Sequence, residues 1–179
     1  MLDKTIVCLD GSKLAEEILP YVFKHIAGPE SEVILLRVFS AHITIPPPGS
    51  THAMTYGVGS KAVQTHTNDT GKSTTLEPKV GLQLREIERE QGEAKSYLED
   101  LAGRFRSKGA KVKTVVLEGE PSEAILTYAV SSNASLIALT SHGTHGLEVG
   151  LLGGVAQFML KESEIPVLMV KPRGKALLT

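Results

Sequence analysis

Between Ser135 and Val170 four patterns follow one another: an apolar run, a polar loop studded with glycine, a helical spacing of apolar residues and a second apolar run. Ser135-Leu136-Ile137-Ala138-Leu139 is apolar almost throughout, as a strand covered on both faces must be, and it ends at the polar loop. The loop therefore lies at a strand's carboxyl end. Gly143, Gly146, Gly150, Gly153 and Gly154 punctuate it, and Val155, Phe158 and Met159 then fall on one helical face. Glycines ahead of a helix let backbone N–H groups approach an anion, and the first helical turn adds unpaired donors and the positive end of the dipole. The pattern reads as a phosphate cradle. A bare strand-to-helix connection needs about two to six residues, whereas Ser141 to Gly154 spans fourteen. Gly153 is expected to take a φ that a side chain tolerates poorly, with its N–H turned to the anion.

The same alternation runs from the start of the chain. Thr5-Ile6-Val7-Cys8-Leu9 is a short apolar run that stops at Asp10-Gly11-Ser12. Ser12 suits a helix N-cap, and Leu14, Ala15, Ile18, Leu19, Val22 and Ile26 recur at helical spacing up to Gly28-Pro29. Pro20 falls well inside that pattern, where it would remove the bond to the Glu16 carbonyl and kink the axis. Val33 to Phe39 is a second buried run. A helical stripe of Leu84, Ile87, Ala94, Tyr97, Leu98, Leu101 and Phe105 among charges ends by Gly109. Lys111 to Leu117 alternates polar and apolar before becoming apolar, as a strand near a sheet edge does. Pro121 then suits a helix's first position, with Ala124, Ile125, Tyr128 and Ala129 on its buried face.

Residues 41 to 81 differ in character. Three prolines, Pro46 to Pro48, precede a stretch of Gly, Ser, Thr, His and Asn without apolar periodicity, which reads as a long insertion and a mobile flap. Two motifs fail there. Gly71-Lys72-Ser73 lacks the upstream glycine of a phosphate-binding P-loop, because that place is His66. His42, His52 and His66 have no metal-type spacing, and no metal site is expected.

With 179 residues, 41% of them apolar, and a net charge of −1, the chain has material for one domain, residues 1–179, and lacks the basic excess that would favour nucleic acid or an anionic membrane. Its single cysteine, Cys8, rules out a disulfide within the chain and sits in a strand pattern as a buried thiol. No run nears the roughly 18 apolar residues of a membrane helix, and the first residues read as a strand and not as a signal peptide. A cytoplasmic location is the expectation.

Strand and helix thus alternate four times before a closing strand, the pattern of a three-layer α/β/α sandwich on a parallel five-stranded sheet, a Rossmann-like architecture. The loop resembles that of a known family. Ser141-His142-Gly143, nine residues, Gly153, a short helix and Ile165-Pro166-Val167-Leu168-Met169-Val170 are similar to the nucleotide loop and last strand of the universal stress protein family, whose nucleotide-binding members carry Gly-x-x-Gly, nine residues, then Gly-Ser or Gly-Thr. Here Thr140 stands at the first glycine and Gly154 at the hydroxyl residue.

The resemblance covers residues 3 to 39 and 82 to 172 and implies the adenine nucleotide alpha hydrolase-like fold with strand order 3-2-1-4-5. In that order strands one and four are neighbours whose connections leave to opposite faces, so the crevice at their carboxyl ends is the switch point where ligands bind. Asp10 leaves one strand and Thr140 to Gly154 the other. The nucleotide-binding set so implied is Asp10, Val38, Leu139, Thr140, His142, Gly143, Gly153, Gly154 and Val155. Backbone N–H groups of Gly143, Gly153, Gly154 and Val155 would hold the phosphates of ATP or ADP, with or without Mg2+, while Asp10, Val38 and Leu139 frame the adenosine. The function implied is that of an ATP-binding regulatory protein of the stress response. The alternative is a dimeric interaction module of the same fold that binds no nucleotide. No catalytic residue is assigned, since no paired carboxylates or nucleophile-base spacing can be read; a slow hydrolase using His142 or His145 as base is the most that could be expected. An unblunted apolar edge at Pro166 to Val170 implies a homodimer.

Overall fold

The computed structural model describes residues 3–40, 79–107, 109–142 and 152–172, with side chains omitted for 79–83. The readings of a flap at 41–78, and of Gly143 and His145, lie outside the described residues. Contacts divide the chain into two compact units, Met1–Ala41 with Glu90–Thr179, and His42–Arg89. The sheet lies wholly in the first. Of the second, only residues 79–89 of a helix are described, with an ion pair between Arg89 and Glu86.

Five strands, β1 (Lys4–Cys8), β2 (Glu32–Phe39), β3 (Lys111–Glu118), β4 (Leu136–Thr140) and β5 (Val167–Val170), form one sheet in the order β3-β2-β1-β4-β5. Every pairing is parallel, as the near-continuous apolar runs require. The central strands are the buried ones: β4 is buried at all five residues and β1 at four of five, while β3 alternates and β5 is half-buried throughout. Lys4 fixes the start of the β1–β4 pair. Its N–H donates to Ser135 Oγ (3.0 Å), its Nζ to the Ser132 carbonyl (2.6 Å), and its own carbonyl accepts from the Ser135 N–H (2.9 Å).

Successive strand residues face opposite ways, so the core forms two layers. Val7, Val33 and Leu35 pack with Ile18, Val22, Leu98, Leu101 and Phe105 under α1 (Leu19–His25) and α2 (Lys79–Arg106). Ile6, Ile34, Leu36, Ile137 and Leu139 pack with Ile125, Ala129, Ala156 and Met159 under α3 (Pro121–Ser131) and α4 (Gly154–Glu162). Ile6, Ile34, Leu36 and Ile137 are at most 1% exposed, and the burial of each contributes about 1.5–3 kcal/mol. An edge-to-face contact between Phe23 and Phe105, centroids 5.3 Å apart, joins α1 to α2.

Three expectations are revised. Pro20 does not kink a long helix. A single 3-10 turn, Ala15–Ile18, ends first and α1 starts anew at Leu19, which leaves Pro20 in a first helical turn where its missing N–H is not needed. Helix α2 begins at Lys79, inside the stretch read as an insertion, and Leu84 of the expected buried stripe is exposed. The buried stripe is confined to Ala94, Leu98, Leu101, Ala102 and Phe105. The expected glycine stop is present: Gly109 has φ +85° and donates to the Arg106 carbonyl (2.9 Å).

Candidate functional site

Register carries the expected residues to one level of the sheet. Cys8 pairs with Leu36 and Val7 with Ala138; counting on, Asp10 stands level with Val38 on one side and Ser141 on the other. All three lie at the carboxyl edge, on or beside the two strands whose connections part.

Past β1 the chain turns at once. The Ser12 N–H donates to Asp10 Oδ1 (2.8 Å), and the Ala15 N–H donates to Ser12 Oγ (3.1 Å), so the expected cap is made, over the 3-10 turn. Gly11 sits between them at φ +87°, a conformation that disfavours any side chain. Asp10 therefore has a turn-forming oxygen and a carboxylate half open to solvent.

Past β4 the arrangement is different. Thr140 and Ser141 are buried, and the Ser141 N–H extends the ladder to the Val170 carbonyl (2.9 Å). Thr140 Oγ1 donates to the His142 carbonyl (2.8 Å), and Ser141 Oγ lies 2.8 Å from His142 Nδ1. His142 Nε2 is buried without a hydrogen-bond partner among the described residues. At the far end of the loop, the Gly153 N–H donates to the Ser141 carbonyl (2.8 Å) and α4 begins.

That bond revises the reading of Gly153. Its N–H is used within the chain, and its φ of −61° with ψ 153° is ordinary extended backbone. Glycine is favoured there by proximity, since a Cβ would meet the Ser141 carbonyl oxygen at 3.3 Å and His142 Cα at 3.8 Å. Gly154 differs. A Cβ there would meet nothing within 4 Å among the described residues, so packing does not require glycine at this position. The N–H groups of Gly154 and Val155 belong to the first helical turn, which has no carbonyl of its own helix to bond. Among the described residues no carbonyl outside the helix accepts from either. Val38 packs against the core from a half-buried position, whereas Leu139 is 3% exposed and belongs to the core beneath the edge.

Thus Asp10, Val38, Thr140, His142, Gly153, Gly154 and Val155 gather along one edge of the sheet with Leu139 below. Among the described residues the donors and walls that could face an anionic ligand with an apolar end are the first-turn N–H groups of α4, the carboxylate of Asp10 and the side chain of Val38. Cys8 takes no part, since burial pushes its thiol up to about 12. Among the described residues no cluster of His, Cys, Asp or Glu could hold a metal, and no helix is long and apolar enough to cross a membrane.

Sequence reasoning passed over three residues near the turn that follows β1. Arg37 of β2, Tyr97 of α2 and Glu16 of the 3-10 turn lie on the α1/α2 side, with Glu16 paired to Lys13 (2.7 Å). Arg37 is the only charge in the run from Val33 to Phe39, and that was the available signal.

This fold is that of a known class. The sequence profile of the universal stress protein family matches residues 1–171. The chain belongs to the universal stress protein family. It is 26% identical to the universal stress protein YxiE of Bacillus subtilis over 171 residues, 96% of this chain and 100% of that one. The solved structure of MJ0577 from Methanocaldococcus jannaschii superposes with a TM-score of 0.68 at 25% identity, covering 96% of both chains. Two further solved proteins share the fold: a universal stress protein in complex with cAMP (TM-score 0.58, 15% identity, 96% of this chain and 98% of that one), and a family protein from Arabidopsis thaliana with AMP bound (0.57, 14%, 97% and 94%).

Proposed function

We propose that the protein binds an adenine nucleotide, ATP or ADP with or without magnesium, at the carboxyl edge where β1 and β4 part, and that it acts in the cytoplasm as a regulator of the stress response. The observation that carries this reading is the sheet register, which, counted on from the paired residues, brings Asp10, Val38 and Ser141 to one level, beside the first-turn N–H groups of Gly154 and Val155 in α4. The nucleotides held by two proteins of the same fold, cAMP and AMP, support the adenine class. In this reading Gly154 and Val155 receive phosphate oxygens, Asp10 faces the ribose, and Val38 lies against the base. Gly153 contributes by closing the loop. With Gly154 in place of a hydroxyl residue, phosphate is met by backbone alone, which lowers affinity by about one neutral hydrogen bond, roughly 0.5–1.5 kcal/mol. Titration calorimetry with magnesium-ATP on freshly purified protein, together with chromatography for co-purified nucleotide, tests it. Binding heat or retained nucleotide is expected; neither, at millimolar ligand, leaves the interaction module.

We also propose a homodimer through β5. Among the described residues this strand pairs with β4 on one side only, and Val167, Leu168, Met169 and Val170 are each half-buried. An apolar edge without lysine or an interior proline invites pairing with its own copy about a two-fold axis. Light scattering at micromolar concentration is expected to give twice the chain mass, and Met169→Pro, which deletes a mid-strand donor, is expected to halve it. A folded Met169→Pro variant of dimeric mass rules the strand out.

A further inference from the structure

The Arg37 side chain lies on the α1/α2 face of the sheet, following Val33 and Leu35 on that side of β2. Its Cζ is 5.5 Å from the centroid of the Tyr97 ring, within the distance of about 6 Å at which a guanidinium is attracted to an aromatic face. It also touches the turn after β1. A Cβ placed on Gly11 would stand 3.0 Å from Arg37 Cζ and 3.1 Å from both Nη1 and Nη2. Three nearly equal distances set Gly11 over the flat face of the guanidinium; a position at its rim would be distinctly closer to the nitrogens. A side chain at Gly11 is thus disfavoured twice, by its φ of +87° and by a contact that Arg37 would have to relax.

The surroundings explain why an arginine is held there. The Tyr97 hydroxyl is buried and makes no hydrogen bond of full geometry among the described residues. Burial first, then the carboxylates of Glu16 and Asp10, raise its pKa, while Arg37 opposes them. A neutral phenol, two carboxylates and one guanidinium therefore share a small region, and the guanidinium offsets part of the negative charge of the two carboxylates.

We propose that Arg37 is a positioning residue: packed against both Gly11 and Tyr97, it holds the Asp10-Gly11-Ser12 turn, and so sets the direction of the Asp10 carboxylate from beneath the candidate site. The inference rests on the nucleotide reading of that site. Without the guanidinium the turn samples more orientations, and affinity falls by the fraction of time the turn is correctly set. Because the effect enters at Asp10, at the adenosine end, it weakens ATP and adenosine equally. Lysine keeps the charge but has no flat face to lay against Gly11.

Calorimetry of ATP and of adenosine with wild type, Arg37→Ala and Arg37→Lys tests the proposal, with thermal unfolding of each. Arg37→Ala is expected to weaken both ligands about tenfold at a near-native Tm, and Arg37→Lys to leave most of that loss unrepaired. Unchanged affinities in folded Arg37→Ala overturn it, as does full rescue by lysine. A loss much larger for ATP than for adenosine overturns it in favour of direct phosphate contact. A wild type that binds neither ligand removes the nucleotide reading and this inference with it, whereas a wild type that binds both keeps the former whatever the variants do. The packing itself is tested without ligand: Gly11→Ala is expected to lower Tm less in the Arg37→Ala background than in wild type. Strict additivity of the two substitutions overturns the contact.

Discussion

Where β1 ends, three residues turn the chain and side chains hold the turn, with Asp10 Oδ1 and Ser12 Oγ each accepting from a nearby N–H. Where β4 ends, the described residues are held by a backbone bond from further along the chain, Gly153 N–H to the Ser141 carbonyl. The first end is a local structure, written in consecutive residues. The second is closed by residues twelve apart in sequence, so its geometry depends on a contact that no neighbour dictates. A ligand between them would meet one wall set by side-chain chemistry and another set by backbone closure.

The largest effect is expected from breaking the second end. Gly153→Val drives two γ-carbons toward a carbonyl oxygen that a Cβ already meets at 3.3 Å, and overpacking of this kind costs about 1–3 kcal/mol. Urea midpoint and nucleotide affinity are expected to fall together, because the bond that closes the loop also places Gly154 and Val155. A Gly153→Val chain of native stability that fails to bind would make Gly153 a direct ligand contact instead.

The first end can be probed through Cys8, two residues before Asp10. The buried thiol has its pKa raised from 9.0 to about 12. Between those values the folded chain keeps a proton that the unfolded chain has released, so stability is complete below pH 9 and falls as pH rises. The limiting slope is about 1.4 kcal/mol per pH unit. Urea midpoints measured at pH 8 and pH 10 are expected to show a decline that Cys8→Ala reduces. An identical decline in both chains would mean that the thiol is not what resists ionisation.

At Asp10 the two roles separate. Asp10→Asn keeps an oxygen for the Ser12 N–H, and is expected to leave stability within about 0.5 kcal/mol while weakening nucleotide binding by about 1–2 kcal/mol, some five- to thirtyfold. Asp10→Ala is expected to lose both. Equal binding by Asp10→Asn and wild type would confine Asp10 to the turn.

Ser12→Ala is the smallest of these changes, removing a cap over a single 3-10 turn at a cost of about 0.5–1 kcal/mol, with affinity unchanged. Thermal unfolding checks the first figure and calorimetry the second.

What could be read from the sequence follows the same division. Strands buried on both faces show as apolar runs, so β1, β2 and β4 are visible, β5 shows as an apolar run although it is half-buried at an edge, and the alternation of Lys111 to Leu117 marks β3 as an edge. The strand order came from family resemblance, because parallel pairing across a helix leaves no local mark. Ser12 as a cap was legible because its partner is three residues away. Pro20 was misread, since a proline in an apolar stripe looks the same whether it kinks one helix or begins another. Gly153 was assigned the wrong reason for being glycine, because nothing near it in sequence points to Ser141. The contact of Arg37 with Gly11 joins different strands' ends and had only an isolated charge to announce it.

The central position of β1 also has a consequence for synthesis. Ile6 pairs with Ile34 and with Ile137, so one neighbour of the first strand emerges early and the other 131 residues after it. At roughly 10 residues per second, the ribosome takes on the order of 13 s to supply that second neighbour. For that interval the central strand of the finished sheet has an open flank of Thr5, Ile6 and Val7, and the nascent chain has to be kept from pairing elsewhere until β4 has been made.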